Sequence, residues 1–180
     1  MAELVQFKFK IILVGYPAVG KTSLVRRFVL DEFTDKYLMT VGFKVSSKKL
    51  VYKNKYGSEL ELTLMIWDIM GQRNYELSPE SAFLNTKGAL MVCDLTRRHT
   101  LDHLIDLTTE LFNLTEDIPL IFIANKNDLI NQVRFGDPEL SDIAKAFDAP
   151  HFITSAKTGE NVERAFRVLG GMVLKRQGAL

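Results

Sequence analysis

The sequence predicts an α/β protein: a mostly parallel six-stranded sheet with one antiparallel strand and helices on both faces. Three observations carry this expectation. Strand and helix patterns alternate along the chain after an early hairpin. Residues 89–93 and 120–124 are unbroken apolar runs of strand length, the pattern of strands buried on both faces. The polar motifs fall just past strand ends, and in an open α/β sheet those ends share one rim, where ligands bind.

The elements follow in order. Residues 5–14 are apolar enough for a first strand, and Leu24, Val25, Phe28 and Val29 then recur at helical spacing until the pattern fades at Asp31 and Glu32. Residues 33–40 are irregular. Strands are expected at 41–53 and 60–67, the second with Leu60, Leu62, Leu64 and Ile66 on one face, and residues 54–58, with Gly57, form the hairpin turn. Ser78 as cap and Pro79 at the first helical position start a helix that reaches about Thr86. The strand over 89–93 ends at Asp94. Thr100 is expected to cap the next helix, whose stripe is Leu101, Leu104, Ile105, Thr108, Leu111 and Phe112. A strand over 120–124, a helix over 138–147 and a short strand over 151–153 come next. The last helix presents Val162, Ala165, Phe166, Leu169, Met172 and Val173, and Gly170-Gly171 should weaken it by about 1 kcal/mol or more.

The 180 residues suffice for one domain, expected to span 1–180, and the net charge of +1 argues against a nucleic-acid surface. No apolar run approaches the ~20 residues of a membrane span. Met1-Ala2-Glu3 carries no secretory signal pattern. Cys93 is the only cysteine, so no intrachain disulfide forms, and its place in an apolar strand reads as a buried structural thiol. The end Gln177-Gly178-Ala179-Leu180 has no prenylation cysteine, and Ala2 excludes N-myristoylation. The expectation is a cytoplasmic monomer without a lipid anchor in this chain, reaching membranes only through partners.

The chemistry begins at Gly15-Tyr16-Pro17-Ala18-Val19-Gly20-Lys21-Thr22-Ser23, which reads G-x-x-x-x-G-K-[ST] between a strand and a helix. Gly15 and Gly20 allow the tight turn, and the loop's N–H groups make an anion-binding nest at a helix N-terminus. Lys21 supplies charge for the β- and γ-phosphates, and the Thr22 hydroxyl suits Mg²⁺. Asp68 closes a strand three residues before Gly71, where a carboxylate can hold Mg²⁺ through a water, and the Gly71 N–H can approach a γ-phosphate. Gln72 follows, placed to orient an attacking water. Asn125-Lys126-Asn127-Asp128 is N-K-x-D: the Asp128 carboxylate suits guanine N1–H and its 2-amino group, whereas adenine would leave it unpaired. Lys126 can lay its stem on the base, and Asn125 can tie this loop to the phosphate loop. Ser155-Ala156-Lys157 follows the last strand, where the Ala156 N–H can meet guanine O6.

With these motifs in this order the chain resembles the Ras-like small GTPases, most closely the Rab-type members, over about residues 7–174. The resemblance implies the P-loop NTPase fold of a Ras-like G domain, GTP/GDP as the bound nucleotide, Mg²⁺ as cofactor, and effector, activating and exchange proteins as partners. It implies that Thr40, in Thr40-Val41-Gly42, completes the Mg²⁺ shell in the GTP state. Phe33 matches the aromatic on the guanine edge, Tyr37 the residue that closes over the phosphates, and Trp67 a tryptophan common between the switches.

Three features depart from the family pattern. Pro17 stands where a small residue is usual, has no N–H to give, and is expected to hinder a partner's arginine finger. The segment from Gly71 to Gly88 is a few residues longer than the family pattern, contains Pro79 and has Arg73 in place of an acidic residue. The lipidated tail is missing. His99 and His103, four apart, read as a solvated face rather than a metal pair, and Lys175-Arg176 is too short for a membrane patch. The expected function is a slow GTPase acting as a switch. The alternatives are a nonhydrolysing GTP-bound scaffold and, third, an ATP-dependent P-loop enzyme.

Overall fold

The computed structural model describes residues 5–36, 40, 42–69 and 79–180. Tyr37, Gly71, Gln72, Arg73 and Ser78 lie outside the described residues. In chain order the elements are β1 (Val5–Gly15), α1 (Lys21–Leu30), β2 (Phe43–Lys53), β3 (Glu59–Ile69), α2 (Pro79–Phe83), β4 (Thr86–Asp94), α3 (Arg98–Leu114), β5 (Leu120–Asn125), α4 (Asp137–Ala146), β6 (His151–Ile153) and α5 (Val162–Arg176), with one 3₁₀ turn at Ile130–Gln132. The six strands run in the order β2-β3-β1-β4-β5-β6. Only β2 is antiparallel to its neighbour, because the hairpin returns it directly onto β3; the β1–β3, β1–β4, β4–β5 and β5–β6 pairs are parallel. The expected fold class is the observed one.

Burial explains the strand patterns. Leu60, Leu62, Leu64 and Ile66 are buried as a period-two face, and every residue of β5 is buried. The side chains below the sheet join α1 and α5, where the rings of Phe28 and Phe166 stack 4.0 Å apart. The opposite face carries α3 and α4 through Leu101, Leu104, Leu111, Leu140 and Ala144. The turn after β2 is held by Asn54, whose Oδ1 accepts the N–H groups of Tyr56 and Ser58 at 2.9 Å each. Cys93 is buried in β4, and burial raises its thiol pKa far above the ordinary value, so the thiol stays protonated.

Four expectations are corrected. The helix after Pro79 ends at Phe83, and Thr86 instead begins β4, paired with Lys10 and buried. Helix α3 starts at Arg98, not after Thr100. Thr100 is buried in its first turn, and its hydroxyl accepts the Asp94 N–H at 2.9 Å and donates to the Arg97 carbonyl at 2.7 Å. Ile105 is not part of the buried stripe; it is 47% exposed. Gly170 is not merely a weak helix position: a Cβ there would lie 2.3 Å from the Tyr52 hydroxyl.

Candidate functional site

The C-terminal ends of β1, β3, β4, β5 and β6 bring the polar motifs to one rim. The loop after β1 is ordered through its carbonyls. Lys21 Nζ donates to the Gly15 and Tyr16 carbonyls at 2.8 and 3.1 Å. Arg97 Nη2 donates to the Pro17 carbonyl at 2.9 Å, Lys126 Nζ to that of Ala18 at 2.9 Å, and Asn125 Nδ2 to that of Val19 at 3.0 Å. Five successive carbonyls, 15 to 19, are thus each held by a side chain: 15 and 16 by Lys21 of the loop itself, 17 to 19 by Arg97, Lys126 and Asn125 from the ends of β4 and β5. A trans peptide points its N–H opposite its C=O, so the N–H groups of Ala18, Val19 and Gly20 turn away from those last three donors. Among the described residues the N–H groups of Ala18, Val19 and Gly20 have no protein acceptor. This is the arrangement of an anion-binding nest. Gly20, at φ 101°, must be glycine twice over: the backbone is left-handed, and a Cβ would stand 2.3 Å from Asn125 Nδ2. Ser23 lies in the first turn of α1, half-buried, where helix N–H groups lack internal acceptors.

Beside the nest, three oxygen-bearing side chains converge. Thr22 Oγ1 lies 2.9 Å from Thr40 Oγ1 and donates a short hydrogen bond to Asp68 Oδ2. Asp68 Oδ1 is buried and has no partner among the described residues. Burial raises the Asp68 carboxyl above the ordinary range, against the hydrogen bond from Thr22 and the charge of Lys21. An all-oxygen set with one orphaned carboxylate oxygen fits a hard divalent cation such as Mg²⁺. The Lys21 ammonium is lowered by burial to about 8, and the Asp68 charge opposes that shift only in part.

The second half of the rim is built around Asn125, which is 1% exposed. Its Oδ1 accepts the Thr154 hydroxyl and the Ala156 N–H at 3.1 Å each, while its Nδ2 reaches Val19. One side chain therefore joins the loops after β1, β5 and β6. Ser155 Oγ donates to Asp128 Oδ1 at 2.6 Å, orienting that carboxylate. Phe33 is half-buried against the core on the α1 side. Lys157 is exposed, and its carbonyl and that of Ala156 accept from Arg27 at 2.7 and 2.9 Å.

Sequence reasoning missed three contributors: Arg27, Arg97 and Asp94. Asp94 is fully buried, and its Oδ2 receives Lys126 Nζ at 2.7 Å and Arg97 Nε at 2.9 Å. A signal was present, since an aspartate that closes an apolar strand ends at the same rim. His99 and His103 pack on Tyr16, the first edge-on at 5.2 Å and the second stacked at 5.4 Å. Among the described residues no three His, Cys, Asp or Glu side chains group as a metal cluster. Among them, too, no helix is long and apolar enough to cross a membrane.

Comparison with known proteins agrees with this geometry. The family profile described as "Ras family" matches residues 10–175. The chain is 33% identical over 177 residues to the mouse (Mus musculus) Ras-related protein Rab-4A, covering 98% of this chain and 79% of that one. It is 31% identical over 166 residues to Ras-related protein RABA4a of Arabidopsis thaliana, covering 92% and 71%. Against human (Homo sapiens) Ras-related protein Rab-27B it is 28% identical over 177 residues, covering 94% and 81%. The chain therefore belongs to the Ras family, as a small GTP-binding switch protein of the Rab type.

Proposed function

We propose that this chain, acting as one unit over residues 1–180, binds GTP and GDP with Mg²⁺ at the rim and hydrolyses GTP slowly. The observation that carries the reading is the clamping of carbonyls 17 to 19 by Arg97, Lys126 and Asn125, which leaves the N–H groups of Ala18, Val19 and Gly20 as phosphate donors. Gly15, Ala18, Val19, Gly20 and Ser23 cradle the phosphates. Lys21 gives them its ammonium, which is already poised at the loop mouth. Thr22, Thr40 and Asp68 hold the cation. Bound there, Mg²⁺ would neutralise charge on the phosphate oxygens. Asp128 reads the guanine N1–H and 2-amino edge, the Lys126 stem covers a face of the base and Phe33 packs on its edge. The Ala156 N–H, expected at guanine O6, is instead given to Asn125 Oδ1 at 3.1 Å, so Ala156 shapes the pocket through that bond. Asn125, Ser155 and Lys157 shape that pocket, with Ser155 fixing Asp128.

Gln72 orients the attacking water, and Gly71, Tyr37 and Thr40 respond to the γ-phosphate. Loss of that group frees two loops, which effector, activating and exchange proteins read. The protein acts in the cytoplasm and meets membranes through such partners.

Single-turnover hydrolysis of GTP, run with and without Gln72→Leu, tests the reading. Wild-type turnover on the scale of minutes to hours, slowed at least tenfold by the substitution, is expected. Absence of turnover in the wild type, with tight GTP binding intact, replaces the slow enzyme by a GTP-bound scaffold.

A further inference from the structure

We propose that Arg97, held by Asp94, is a positioning residue for the nucleotide: it fixes the Pro17–Ala18 peptide so that the Ala18 N–H faces the phosphates. The inference rests on the nucleotide reading above and adds a residue that none of its motifs contains.

Proline sets the problem. Pro17 has no N–H, so the Tyr16–Pro17 peptide offers the phosphates no donor. The next peptide is the first in the loop after Pro17 that can give one, through Ala18. Ala18 sits at φ 60°, a left-handed conformation that is unfavourable for a residue with a Cβ. The two carbonyls that bracket it are clamped from outside, that of Pro17 by Arg97 and that of Ala18 by Lys126, at 2.9 Å each. Both cations converge on one oxygen, Asp94 Oδ2. The other oxygen, Oδ1, accepts the Thr96 N–H at 2.9 Å and its hydroxyl at 2.7 Å. Asp94 is thus fully buried yet fully partnered. Burial works to raise its carboxyl, but the bonds from Lys126 and Thr96 outweigh that and keep it ionised.

The guanidinium suits this task because its planar fork serves two acceptors in fixed directions, Nε on Asp94 and Nη2 on Pro17. An ammonium at the same place reaches one acceptor well and the other poorly. Residue 16 is gripped by the same helix, through the Tyr16 ring on His99 and His103. The start of α3 therefore braces the outer side of the phosphate loop where proline leaves it short of a donor.

The test uses the whole chain loaded with a fluorescent GDP in excess Mg²⁺. Release rates are measured for wild type, Arg97→Ala, Arg97→Lys and a control, Tyr52→Phe. The control removes a 2.8 Å hydrogen bond to the Arg167 carbonyl, away from the rim. Thermal midpoints of the nucleotide-free proteins are recorded alongside. Arg97→Ala should release GDP about tenfold faster, the loss of one hydrogen bond involving a charged group. Arg97→Lys should fall between it and wild type, and the control should stay within twofold of wild type whatever its midpoint. If both Arg97 variants release GDP within twofold of wild type, Arg97 is only a fold contact and the proposal fails. If Arg97→Ala does not fold, the lysine variant decides alone. A wild type that binds no GDP overturns the nucleotide reading itself, a result distinct from a bound wild type with unchanged variants.

Discussion

Replacing Asn125 by alanine should separate three loops that one buried amide now joins. The side chain is 1% exposed and makes hydrogen bonds to Val19, Thr154 and Ala156 at 3.0, 3.1 and 3.1 Å. Truncation leaves a carbonyl, a hydroxyl and an N–H without their partner. At about 1 kcal/mol for each, the fold should lose about 3 kcal/mol. Asn125→Asp is the sharper variant. It keeps the size of the side chain and the acceptor for Thr154 and Ala156, but puts a carboxylate oxygen against the Val19 carbonyl. Two acceptors then face each other out of water, which should cost about 2 kcal/mol. Urea unfolding of the nucleotide-free protein measures both losses. Titration with fluorescent GDP measures the effect on binding, expected to weaken at least tenfold in each variant because Val19 and Ala156 belong to opposite halves of the site. If Asn125→Asp unfolds at the wild-type urea concentration and binds GDP as tightly, the donor role given to Asn125 is wrong.

Other predictions follow from single features. The Lys21 ammonium lies at about 8 instead of 10.5, and a phosphate beside it restores its charge, so binding takes up a proton above that pH. GDP affinity should be level below pH 8 and fall by up to about tenfold per pH unit above it; a constant affinity to pH 9.5 would contradict this. For folding the sign reverses: between pH 8 and 10.5 the unfolded chain holds the proton that the native lysine has lost, so the nucleotide-free protein gains stability from this group as pH rises. Gly170→Ala should destabilise by about 1 kcal/mol, because displacing the Tyr52 hydroxyl outweighs the gain in helix propensity. In a Tyr52→Phe background the same change should cost less, since only Leu62 Cδ2 at 3.1 Å and the ring Cζ at 3.3 Å remain close, as read by thermal unfolding. Asp128→Asn should abolish tight GTP binding while leaving the unfolding midpoint nearly unchanged; retention of guanine affinity would remove Asp128 from the base pocket.

Much of the architecture was legible because it is written in local patterns. The period-two face of β3, the solid apolar runs of β4 and β5 and the position of each motif after a strand all depend on neighbours in sequence. Thr86 misled because a threonine after a short helix gives no sign that it is buried and paired to Lys10. Thr100 looked like a cap because its hydroxyl does bond backbone, but it bonds from within the first turn of α3. Within the candidate site, the described motif residues could be named from the sequence, and the residues that support them could not. Arg97 meets Pro17 across 80 residues, and Arg27 meets Ala156 across 129. Such contacts exist only once the sheet has brought the strand ends together. Gly170 shows the same limit: its reason is the Tyr52 hydroxyl on a distant strand, which no helical propensity encodes.

The central claim is that this rim holds a guanine nucleotide and turns it over. The most direct measurement is to purify the protein without added nucleotide, denature it and identify the released compound by chromatography. GDP is expected in about one-to-one ratio to protein, the product of hydrolysis during preparation. An adenine nucleotide in that position would contradict it, since Asp128 would then face a base that cannot satisfy it.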